Sequence, residues 1–108
     1  MKNLYLLSLF LLVISCGKKE EPATPPAVVT NIFVSKITLT AVILEWPAIK
    51  GAEGYRVYRI NSLTTAFSVD VPLFEDTNLK NSTTYAYQVC AYNKYGEGPK
   101  SITITIVL

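Results

Sequence analysis

The side chains here that could do chemistry are two cysteines, eight carboxylates, seven tyrosines and ten basic residues, with no histidine. The missing histidine removes the commonest general base and the commonest metal ligand together. A Ser/His/Asp relay is therefore excluded. The carboxylates are not paired across any evident cleft: Glu20 and Glu21 stand among lysines and prolines, Glu45 precedes Trp46 and should face outward, and Glu75-Asp76 reads as a turn. Neither thiolate nor acidic spacing fits a zinc or calcium site. Gly96-Glu97-Gly98 leads into a strand pattern and not a helix, so it is no phosphate loop. A formal charge of +2, spread along the chain, offers no basic patch for nucleic acid. These residues predict no enzyme, no cofactor and no metal. The chemistry left to them is recognition, through Arg56, Tyr58, Gln88, Tyr92 and Tyr95.

Cys16 belongs to a separate pattern. Lys2, the apolar run from Leu4 to Ile14 and the small Ser15 have the layout of a secretory signal peptide over residues 1–15. The run falls short of the roughly 20 apolar residues that span a bilayer. Val13-Ile14-Ser15-Cys16 resembles the lipobox of bacterial lipoproteins. That resemblance implies lipidation of Cys16, a thioether at its sulfur, a mature chain of 93 residues and a membrane as partner. It implies a lipid-anchored protein of the bacterial cell envelope, with the outer membrane expected and the face of it open. Cys90 would then have no intramolecular disulfide partner and serve as a small hydrophobe. Residues 16–26, with charge, small residues and three prolines, read as a solvated, disordered tether. Their Lys18-Lys19-Glu20-Glu21 cluster resembles the lysine-plus-acidic export signals of surface lipoproteins.

Beyond the tether, residues 27–108 alternate with the period of strands. Val42, Leu44 and Trp46 line one face, Tyr55 and Val57 the next run, then Phe67, Val69 and Val71 up to Pro72. Tyr85, Tyr87, Val89 and Ala91 alternate again, 93–99 breaks the pattern, and Ile102, Ile104 and Ile106 close the chain against Ser101, Thr103 and Thr105. No sustained helical period appears. Short strands divided by turn residues predict an all-β sandwich.

Leu44-Glu45-Trp46-Pro47, Gly51-Ala52-Glu53-Gly54-Tyr55-Arg56-Val57-Tyr58-Arg59, Asp76-Thr77-Asn78-Leu79 and Thr84-Tyr85-Ala86-Tyr87-Gln88-Val89-Cys90-Ala91-Tyr92-Asn93, then Gly96-Glu97-Gly98, stand in a defined order. Together they resemble the landmarks of a fibronectin type III domain. The resemblance implies an immunoglobulin-like, seven-strand β-sandwich with Trp46 between the sheets. It places Tyr85 in a corner with Leu79, Asp76 in the turn before it, and freedom for the turn into the third strand at Gly51 and Gly54. The 93–98 loop would be a place where such domains meet partners. No Arg-Gly-Asp stands in it, so integrin-type recognition is not expected.

By strand alternation, Arg56 and Tyr58 should share an outer face with Gln88, Cys90 and Tyr92, extended by Tyr95. Ordinary cross-strand pairing would produce the same face without any ligand. The expected function is a non-catalytic envelope lipoprotein presenting one interaction domain to a protein or glycan partner. The alternative is a structural accessory or spacer subunit of an envelope complex.

Overall fold

The computed structural model describes residues 23–108, and Cys16 and the signal-peptide reading lie outside them. β-branched and aromatic residues at alternate positions build the strands β1 (Phe33–Ile37), β2 (Val42–Glu45), β3 (Gly54–Asn61), β4 (Leu63–Val69), β5 (Leu73–Asp76), β6 (Thr84–Asn93), β7 (Gly96–Glu97) and β8 (Ile104–Val107). They form two antiparallel sheets, one ordered β1-β2-β5 and one ordered β4-β3-β6, with β7 and β8 both on the free side of β6. This is the expected all-β sandwich, and no helix occurs among the described residues.

The seventh strand of the expected set is the interrupted pair β7 and β8. Pro99 has no N–H for the ladder. Ser101 repairs the gap: its N–H donates to the Val89 carbonyl at 2.8 Å and its hydroxyl accepts from the Val89 N–H at 2.9 Å. This buries Ser101 and turns Ile102 outward, 78% exposed, so the expected alternation from Ile102 holds only at Ile104 and Ile106. Val71 likewise falls beyond β4 and is exposed.

The core is the inward row of each sheet: Val42, Leu44, Trp46 and Phe74 against Tyr55, Val57, Tyr87, Val89, Ala91 and Ile106. Trp46 meets Tyr55 edge-on at 5.4 Å between centroids. The corner forms as expected, with Leu79 buried and the Tyr85 hydroxyl accepting from the Lys80 N–H at 2.8 Å. A second tyrosine does the same unannounced: Tyr55 accepts from the Ile49 N–H at 2.9 Å and holds the 46–53 loop.

Asp76 departs from expectation. It ends β5 and does not lie in a turn; it is buried, with Oδ1 accepting from Arg59 Nη1 at 2.7 Å and Oδ2 from the Tyr87 hydroxyl at 2.6 Å. Arg59 and Tyr87 face each other across β3 and β6, so the carboxylate ties one sheet to the other. The Arg59 guanidinium also lies over the Phe67 ring at 5.1 Å, and Phe67 packs on Phe74. Burial, and then the bond to Asp76, push the Tyr87 phenol far above its ordinary range, which keeps it a donor. β5 is not legible in the sequence because its four residues, Leu73-Phe74-Glu75-Asp76, carry too short an alternation between two turn signals.

Two stability outcomes follow. Tyr85→Phe leaves the Lys80 N–H without its acceptor and should cost about 1–2 kcal/mol. Asp76→Ala strands the Arg59 charge and the Tyr87 hydroxyl and should cost about 3 kcal/mol. Urea unfolding midpoints check both, and an unshifted midpoint would remove the corner or the inter-sheet tie as a stabilising contact.

Candidate binding face

The five-stranded sheet presents its outer side through the residues that alternate with Tyr55, Val57 and Val89. Register sets Arg56 beside Cys90, Tyr58 beside Gln88, and Gly54 beside Tyr92, which in turn faces Glu97 of β7. The expected face therefore exists for Arg56, Tyr58, Gln88 and Tyr92. Gly54 serves it differently from the expected turn role. Its φ is not in the left-handed region, unlike that of Gly51 at +81°, but an added Cβ would collide with the Tyr92 hydroxyl and ring. Glycine there lets the Tyr92 ring lie across β3.

Glu97 organises the face. Its Oε2 pairs with Arg56 Nη1 at 3.2 Å, while Oε1 accepts from the Tyr58 hydroxyl at 2.7 Å and from Cys90 Sγ at 3.4 Å. Arg56 lies over the Tyr92 ring at 5.4 Å and the Lys100 ammonium over the Tyr58 ring at 4.3 Å. Gln88 Nε2 donates to the Ser101 carbonyl at 3.3 Å. The bond from Tyr58 is the main cause holding the Glu97 carboxyl below its ordinary 4.5. The same bond raises Tyr58 to about 12, and burial followed by Glu97 raises Cys90 to about 11. Cys90 is fully buried beneath these side chains, so it is a protonated, unreactive thiol at neutral pH.

Tyr95 does not join this cluster. It stands 47% exposed on the loop, its N–H donating to Asn93 Oδ1 at 2.8 Å and the Lys94 ammonium 5.2 Å over its ring. Glu97 and Lys100, in contrast, belong to the face and were not singled out from the sequence. The signal was available in Asn93-Lys94-Tyr95-Gly96, a tight connection that returns Glu97 opposite Tyr92.

The arrangement is a polar-aromatic sheet face whose side chains are bonded to one another. A depression of about 60 Å³ lies on the other sheet among Lys36, Thr38, Ala41, Ile43 and Glu75. That is well under the roughly 300 Å³ of a small-molecule pocket. Among the described residues no three of the Cys, Asp and Glu side chains converge as metal ligands.

Since Glu97 titrates lower in the folded chain than its ordinary 4.5, its stabilisation is complete above that value and is lost as pH falls through the folded value. Glu97→Gln removes the charged acceptor and should bring Tyr58 down from about 12 toward its ordinary 10. Difference titration of phenolate absorbance between the two proteins reads this directly; superimposable curves would mean Glu97 does not organise the face.

Comparison with known proteins matches this architecture. The family profile described as the fibronectin type III domain covers residues 25–107. The chain is similar to a poly(3-hydroxybutyrate) depolymerase of Delftia acidovorans, 35% identical over 82 residues, which make up 75% of this chain and 16% of that enzyme. It is also similar to chitinase Chi52 of Paenibacillus xylanexedens, 40% identical over 86 residues, 76% of this chain and 16% of that one. The chain thus spans about a sixth of the length of these curated relatives, and what they share with it is their fibronectin type III part. Among solved structures it is similar to the FN1–FN3 domains of chicken CNTN1, with a TM-score of 0.70, 27% identity, and coverage of 77% of this chain and 31% of that one. The profile match and the sandwich that carries it place the chain in the fibronectin type III family.

Proposed function

We propose that this chain is a non-catalytic lipoprotein of the bacterial cell envelope, anchored through Cys16, that presents its fibronectin type III domain to a protein or glycan partner. The observation that carries the reading is what its enzyme relatives share with it. Both a depolymerase and a chitinase match only through this module, which is 16% of each. A module that accompanies different chemistries supplies something other than the reaction. In this reading the contact surface is Arg56, Tyr58, Gln88 and Tyr92, ordered before any partner arrives by Glu97 on Arg56 and Tyr58, by Ser101 on Gln88 and by Arg56 over Tyr92. Pre-ordered aromatic and guanidinium side chains lose little freedom on binding.

A second reading, the spacer or accessory subunit of an envelope complex, is favoured by one feature of the same face. Glu97 already takes the Tyr58 hydroxyl, the Cys90 thiol and one guanidinium nitrogen of Arg56, which leaves fewer polar groups for a ligand.

A photo-crosslinking residue placed at Tyr92 in intact cells separates the two, with Leu39 at the opposite end as control. One discrete adduct at Tyr92 and none at Leu39 is the expected result for a partner-presenting domain. Adducts of several sizes from both positions would replace that reading with the accessory subunit.

A further inference from the structure

The position where the chain enters the domain decides which end meets the membrane. Thr24 is fastened to the 93–98 loop, its carbonyl accepting from Asn93 Nδ2 at 2.9 Å. Pro26, which is buried, runs so close to Gly98 that a Cβ there would strike the Pro26 carbonyl. Pro25 lies beside Gly96. Residues 24–26, inside the expected tether, are thus packed on this loop. The 46–53 loop stands at the same end, since the Glu53 N–H donates to the Tyr92 carbonyl at 2.8 Å.

The other end of the chain is far away. Leu108 bonds to Ser82 and Thr83, just before β6 begins, whereas Asn93 ends β6. The ten residues of β6 separate the two ends by about 30 Å. Eight residue steps separate Cys16 from Thr24, a reach of at most about 28 Å.

We propose that the 93–98 loop is the membrane-facing end of the domain, with Tyr95 resting in the headgroup layer of the membrane that holds the lipid on Cys16. This rests on the anchor proposed above and gives Tyr95 to the membrane, not to the partner. Tyr95 at that end offers a ring with a polar tip. The long stems of the exposed Lys94 and Lys50 can lie along the surface with their ammoniums toward phosphates, two cations against the exposed carboxylate of Glu53 in the 46–53 loop. A partner must then approach the side of the sandwich or its far end.

The full lipidated chain, purified from membranes and reconstituted into phosphatidylethanolamine–phosphatidylglycerol vesicles, tests this. A fluorophore is attached at Tyr95→Cys or, at the far end, at Asn81→Cys. Cys90 is fully buried and leaves the introduced thiol as the labelling site. Vesicle flotation first reports the anchor, and Cys16→Ser should abolish it. Headgroup-quencher lipid should then quench the label at position 95 several-fold more than the label at 81. Equal quenching on floating protein overturns the orientation and leaves the anchor standing. Failure of the chain with Cys16 intact to float overturns the anchor, and the membrane assignment of Tyr95 with it.

Discussion

Apolar burial holds two sheets together without telling them how to sit, because it is non-directional. In this domain the directional contact across the core is the Asp76 carboxylate, which takes one bond from β3 and one from β6. A buried carboxylate is costly unless each oxygen is partnered, and here each is. The tie then fixes its surroundings: Arg59 is drawn inward over Phe67, and Phe67 onto Phe74. The edge of the five-stranded sheet is thereby packed against the end of the three-stranded one.

The outer face follows from the same sheet. Once β3 and β6 are in register, Arg56, Tyr58, Cys90 and Tyr92 must project together on the side away from Arg59 and Tyr87. Such a row of mixed charge and thiol needs an organising partner, and the return of the chain at Gly96 brings Glu97 to it. Its ion pair with Arg56 is about one-third exposed on both sides, so its Coulomb attraction is weak in water. Its effect is geometric. It holds the side chains in one arrangement and covers Cys90, whose burial keeps the thiol protonated.

The two glycines that matter most act by absence of a side chain. Gly54 lets Tyr92 cross β3, and Gly98 lets the entering chain pass at Pro26. The first shapes the face and the second fixes the end at which the described chain enters the domain. Both were legible only as turn residues, because a close approach depends on which distant residue arrives there.

The sequence by itself determined the strands whose alternation is long, because period is a property of neighbouring residues, and its ordered landmarks resembled a family closely enough to imply the tryptophan between the sheets and the corner at Tyr85. It also determined that Arg56, Tyr58, Gln88 and Tyr92 share a face, since one register of two well-patterned strands places them all. Only the tertiary structure decided the roles of Asp76, Glu97 and Ser101. Each is a polar residue in a short or interrupted segment, and its meaning lies in bonds to residues on other strands. A carboxylate beside a turn looks the same in sequence whether it faces water or a buried arginine; the packing of two sheets makes the distinction.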